Sequence, residues 1–217
     1  MSTIVLQEKV RIPTGIASRA SFLRWARSDR FPDHGWYSWL NGELWVDNTM
    51  ERMNHNQVKG IFAIVLGTII LAGRLGRYFH DRMLLVCPAV DLASEPDGMF
   101  VSFATLKSRR ARLHEGGQSI EVDGVPDMVL EVVSQSSIQK DTEVLRELYA
   151  KAGIAEYWLV DASQESVQFD LLRLTRRGYL AVRPQDGWLK STVFGKSFKL
   201  VQSTDPNGCP EFNLLHR

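Results

Sequence analysis

Two acids in this chain stand where acids are costly. Glu131 lies in the middle of "VPDMVLEVVS" (125–134), with Val129 and Val133 on its own side of an extended strand and Met128, Leu130 and Val132 on the other. Burying an unpaired carboxylate costs on the order of several kcal/mol. In "SEPDGMFVSF" (94–103), Asp97 opens a second apolar strand, on the face of Met99 and Val101. Two carboxylates that converge on one point make an oxygen site for a hard divalent cation. Magnesium takes such ligands and usually keeps waters and a substrate phosphate oxygen beside them. The structural alternative makes Asp97 a turn residue after Pro96 and pairs Glu131 with an arginine.

The elements that would carry these acids follow from periodicity. "SRASFLRWARSD" (18–29) reads as a short helix with Phe22, Trp25 and Ala26 on one face. "GWYSWLNGELWVD" (35–47) alternates about Asn41-Gly42, a hairpin signal, with strands at 36–40 and 43–46. A helix from about 55 to 72 carries Val58, Ile61, Phe62, Val65 and Ile69 as a stripe. Strands are expected near 83–87 and 99–103. A strand over 127–133, a helix over 139–152 and a strand over 156–161 then form a parallel crossover, with Gly153 stopping the helix. "SVQFDLLRL", "GYLAVRP" and "GWLKSTVFGKSFKL" read as antiparallel strands turning at Arg177-Gly178 and Asp186-Gly187. The fold class is therefore α/β, a mixed sheet flanked by helices, with antiparallel C-terminal strands. We expect a single domain over 1–217, with a core over about 35–170 and a β-rich extension over about 165–202.

Bulk properties narrow the classes. A net charge of +1 gives no global attraction to nucleic acid, so any such argument is local. Cys87 and Cys209 are too few and too far apart for a disulfide framework or a zinc motif, and they fit a reducing, cytoplasmic setting. The first 13 residues read as a weakly anchored lead with charges in place of a signal-peptide core. The apolar run 61–73 is shorter than the ~20 residues a span requires, so it reads as core helix, with no membrane partner.

"VPDMVLEVVSQSS", followed by "KDTEVLRELYAKAGIAEYWLVD", resembles the signature of the Uma2 family of "putative restriction endonucleases", within the PD-(D/E)XK nuclease superfamily. "GELWV", "NHNQV" and "EPDGMFV" stand upstream in the family's order, and the resemblance spans roughly residues 35–170. It implies a restriction-endonuclease-like core and Mg²⁺- or Mn²⁺-dependent hydrolysis of DNA. Asp97 matches the family's first metal-binding aspartate and Glu131 the acid of the motif, so both are expected metal ligands. Asp127, four residues and about 13 Å before Glu131 along an extended strand, reads as a strand-start residue. Glu43 is a possible additional acid or an exposed hairpin residue.

The chain departs from the pattern at the lysine. Val133 stands two residues after Glu131, and Leu145 stands at the helical position to which the family moves the lysine. Leu145 shares a stripe with Leu148 and Ala152, so it packs as core. Lys140, at the helix start, is the preferred substitute, and Arg146 is the other. The resemblance thus leaves two functions open: an active endonuclease, or a weakened or inactive nuclease fold that serves as a DNA-binding or interaction module.

His55 is a possible ligand, though a local hydrogen bond suits a lone histidine better. Ser134, Ser136 and Ser137 form a turn bordering the strand's end. Lys107, Arg109, Arg110 and Arg112 make a local positive stretch that could contact DNA phosphates, or a solvated loop closed by Gly116-Gly117. Trp36, Trp39 and Trp45 read as hairpin core or a dimer surface. Because double-strand cleavage needs two sites, a homodimer is expected.

Overall fold

The structure is a computed structural model and describes residues 11–49, 51–113, 119–163 and 166–217. Most of the expected lead and the Gly116-Gly117 pair lie outside these residues. Helix α1 (Arg19–Ala26) begins at a capping box: Ser18 Oγ accepts the Ser21 N–H and Ser21 Oγ accepts the Ser18 N–H. Strands β1 (Trp36–Leu40) and β2 (Glu43–Asp47) form the hairpin, whose Asn41 and Gly42 are both left-handed (φ 48 and 91) as a tight turn demands. Helix α2 (Met53–Gly73) buries Val58, Phe62, Leu66, Ile69 and Ile70. It is long and apolar enough to cross a membrane by length and composition alone. Here that stripe packs on a sheet, while Ile64 and Leu71 remain exposed on the opposite side.

Strands β3 (Gly76–His80), β4 (Leu84–Cys87), β5 (Leu92–Ser94) and β6 (Gly98–Ser102) follow. The single-turn helix α3 (Phe103–Lys107) leads to β7 (Ala111–Leu113), β8 (Glu121–Gly124) and β9 (Met128–Val133). The expected helix over 139–152 starts as a π-turn, Lys140–Val144, with the Leu145 N–H bonded to the Lys140 carbonyl, and continues as α4 (Leu145–Ala152). Gly153 (φ 87) ends it as expected. Then come β10 (Glu156–Asp161), β11 (Gln168–Thr175), β12 (Gly178–Ala181), β13 (Leu189–Lys190), β14 (Ser197–Thr204) and β15 (Pro210–His216).

The central sheet has the order β12-β11-β10-β9-β6-β3. Strand β9 runs parallel to β10 and antiparallel to β6, so the crossover through α4 is the expected parallel unit. A second sheet has the order β2-β1-β5-β4-β8-β7, and a third β13-β14-β15. The alternation along β9 divides its side chains between two cores. Met128, Leu130 and Val132 pack with α2 and the C-terminal sheet, while Val129 packs with α4 and the second sheet. Glu131 lies on this second side.

Two boundaries differ from expectation. Strands β11 and β12 complete the central sheet instead of belonging to an extension, and the C-terminal sheet runs on to His216, past 202. The alternation in "PEFNLLH" buries only Phe212 and Leu214, a pattern too sparse to read as a strand in advance.

Candidate active site

Strand register brings the two acids together. The last β6–β9 pair is Gly98↔Leu130. One residue further, the same register sets Asp97 opposite Glu131, with backbones about 5 Å apart. The ladder ends there, and side chains replace it. The Val132 N–H donates to Asp97 Oδ2 at 2.7 Å, and the Val132 carbonyl lies 2.6 Å from His55 Nε2. A carbonyl only accepts, so Nε2 carries the proton. A cleft opens where the strands part, about 480 Å³ including its solvent-open mouth. Six carboxylates line it, from Asp47, Glu51, Glu95, Asp97, Glu131 and Asp141, together with His55 and Lys140.

Glu131 is 2% exposed, and the Tyr149 hydroxyl from α4 donates to its Oε1 at 2.7 Å. Burial, reinforced by the charge of Asp141, pushes its carboxyl well above the usual range, with Lys140 offsetting part of this. Asp141 is equally enclosed, and burial raises it to about 6 against the pull of Lys140. Its Oδ1 has no hydrogen bond, and the Lys140 ammonium stands 3.4 Å away. Burial opposes the charge on Lys140, but Asp141, Glu131 and Asp97 outweigh it and raise its pKa. The widened π-turn lets consecutive residues 140 and 141 both serve the cleft, and such turns are frequent at functional sites. What offsets the burial of Glu131 is therefore a phenol donor, an ammonium and a tightened hold on its own proton.

Asp97, Glu131 and Lys140 thus stand together, whereas several other candidates do not. Glu43 is exposed at the turn end of β2, outside the cleft. The acid that β2 brings to the cleft is Asp47, four residues or about 13 Å further along. Arg146 points to β12, where its guanidinium lies 3.5 Å from the Tyr179 carbonyl. Leu145 is fully buried in the core with Tyr149 and Tyr157, as its stripe predicts. Asp127 accepts the Ser102 N–H and the Thr105 hydroxyl, each at 2.6 Å, and so fixes the start of α3.

Lys107, Arg109, Arg110 and Arg112 are exposed, but they lie at and after the end of α3, at the opposite end of β9 from the cleft. Arg110 donates to the Gly153 carbonyl. That stretch does not flank the acids. The hairpin tryptophans turn inward: Trp39 is 3% exposed, Trp45 packs against the core, and Trp36 lines the cleft. The Arg82 guanidinium lies 5.3 Å from the Trp36 ring centre. Ser137 and Ser134 close the turn after β9, and Ser136 donates to Asp47 at 2.8 Å.

Sequence reasoning missed a polar stripe that starts just ahead of the apolar helix and continues along its first turns. Glu51, His55 and Lys59 recur every four residues, the spacing that stacks side chains on one helical face. Their alignment is the signal that could have found them. His55 reaches across to β9 instead of bonding locally, and Lys59 Nζ lies 3.1 Å from Asp97 Oδ1. Glu95, two residues before Asp97, carries a second orphaned oxygen, Oε2.

Among the described residues, no three His, Cys, Asp or Glu side chains are drawn into a ready metal cage. The donor chemistry nevertheless suits a hard divalent cation. The cleft has a surplus of carboxylate oxygens, and two of them, on Asp141 and Glu95, are buried without a hydrogen-bond partner.

A family model, Uma2, described as "Putative restriction endonuclease", matches residues 19–200. Among solved structures, the chain resembles a crystal structure described as "a putative nuclease belonging to DUF820" from Anabaena variabilis. The TM-score is 0.62 at 17% identity, covering 82% of this chain and 90% of that one. At that identity the likeness speaks for the fold. A search of the curated proteins finds no match.

Proposed function

Because the chain belongs to the Uma2 family, we propose that it is a divalent-metal-dependent DNA endonuclease, hydrolysing phosphodiester bonds in this cleft. The observation that supports this most is the meeting of Asp97, Glu131 and the Lys140 ammonium where β6 and β9 part. Asp97 and Glu131 would hold the ion, with Asp141 and Glu95 as neighbouring oxygen donors. A bound Mg²⁺ or Mn²⁺ supplies a Lewis acid that lowers the pKa of water and offsets charge growing on the scissile phosphate.

The chain's own groups do the rest. Tyr149 fixes the Glu131 carboxylate by its hydrogen bond. Lys140, held charged at neutral pH, faces the same acids and is placed to steady the negative charge of the transition state. The Val132 amide, whose carbonyl is held by His55, keeps Asp97 from rotating. Exposed Arg82 and Arg52 lie beside the cleft and would contact backbone phosphates there, with Lys107, Arg109, Arg110 and Arg112 left as a more distant basic stretch. Cutting both strands takes two such clefts, which a two-fold dimer supplies.

The test is nicking of supercoiled plasmid with Mg²⁺ or Mn²⁺ by the wild type, Glu131→Ala and Lys140→Ala. We expect metal-dependent nicking by the wild type alone. Equal nicking by wild type and Glu131→Ala would place the activity elsewhere. Retained DNA binding without nicking would mark a non-catalytic module.

A further inference from the structure

We propose that Lys59 is the resident counter-ion of Asp97 and competes for that carboxylate with the divalent cation. The inference rests on the reading of Asp97 as a metal-holding acid. Three carboxylates from separate segments surround one ammonium. Lys59 Nζ lies 2.6 Å from Glu51 Oε1, 3.1 Å from Asp97 Oδ1 and 3.2 Å from Asp81 Oδ1. The lysine side chain is 10% exposed, its stem laid along an otherwise apolar helix with the charged end in the acid cluster.

Both carboxylate oxygens of Asp97 already have a partner. The Val132 N–H takes Oδ2, and Lys59 takes Oδ1. A metal ion therefore reaches Oδ1 only by sharing it with the ammonium or by replacing it. The ammonium has somewhere to stay, because Glu51 and Asp81 hold it when Asp97 is released. A lysine so placed holds the acid in position while no metal is bound. It is a positioning residue, and it sets how much divalent cation the cleft requires.

The competition fixes the direction of two substitutions. Lys59→Met removes a positive charge beside Asp97, so Mn²⁺ should bind at least roughly tenfold more tightly. Asp81→Asn leaves the ammonium fewer alternatives to Asp97, so Mn²⁺ should bind more weakly. Residue 81 has φ 52, a backbone region that asparagine enters readily, and its side chain is 40% exposed. This second variant keeps the test open should Lys59→Met fold poorly.

The measurement is free Mn²⁺ by electron paramagnetic resonance, titrated against the full-length chain without DNA. Tighter binding by Lys59→Met and weaker binding by Asp81→Asn are the expected results. Unchanged or weaker binding by Lys59→Met, or tighter binding by Asp81→Asn, overturns the proposal while leaving the nuclease reading intact. No Mn²⁺ bound by the wild type or by either variant defeats the metal reading, and the competition falls with it.

Discussion

Glu95→Gln should stabilise the protein at alkaline pH and do little in acid. Glu95 lines the cleft, and its Oε2 lacks a hydrogen-bond partner. Burial pushes its carboxyl from 4.5 to about 7, with Arg82 and Lys140 pulling down and Asp81 pushing up. The folded chain thus holds this proton more tightly than the unfolded chain does. The stability it confers is fully present below about 4.5 and is lost as pH rises through about 7. At about 1.4 kcal/mol per pH unit, the gap between the two values is worth about 3 kcal/mol. Glutamine cannot ionise and escapes that loss. For a chain of this length the gain corresponds to roughly 6–12 °C in Tm. Urea unfolding of both proteins with EDTA, from pH 5 to pH 8.5, gives the difference directly. Asp141 and Glu131 titrate in both proteins and largely cancel. The difference should grow with pH and level off above about pH 8. Parallel stability curves, or a glutamine variant less stable at pH 8, would refute the reasoning.

Leu145→Lys should lose about 3 kcal/mol or more in urea, because it drives an ammonium into a core shared with Tyr149 and Tyr157. A gain in nicking by that variant would show that the position still reaches the acids. Asp127→Ala should lower the free energy of unfolding in urea titrations by about 2–3 kcal/mol, through two hydrogen bonds to a carboxylate, and leave nicking per folded molecule unchanged. A loss of nicking at full folding would place Asp127 in the site after all.

Much of this arrangement could be read in the sequence. An acid inside an apolar strand is conspicuous because periodicity points to its neighbours' burial, and Glu131 stood out on that ground, whereas Asp97, just ahead of its strand, was marked out by the family resemblance. Leu145 was readable for the same reason, since a stripe says which way a helical residue faces. The π-turn was not, because no residue type signals it, and it is what lets Lys140 and Asp141 serve the same cleft. Strands β5 and β7, three residues each, are too short to show any period. Lys59 was hidden by its helix. A run read for its apolar stripe gives no weight to a polar one, and the partners of Lys59 lie 8, 22 and 38 residues away in sequence. The position of the basic stretch, away from the cleft, was not legible because composition carries no information about which end of a sheet a loop occupies.

The Val132 peptide group, bonded through its N–H to Asp97 and through its carbonyl to His55, has a use in solution. Its proton points at a carboxylate instead of a neighbouring strand, so its resonance follows the charge on that carboxylate. A ¹⁵N label at this one amide reads the electrical state of the cleft from within, without altering any group that lines it. It also records opening: when Asp97 lets go, the amide loses its partner and exchanges with solvent, while Met128 and Leu130 on the same strand stay protected by intact ladders.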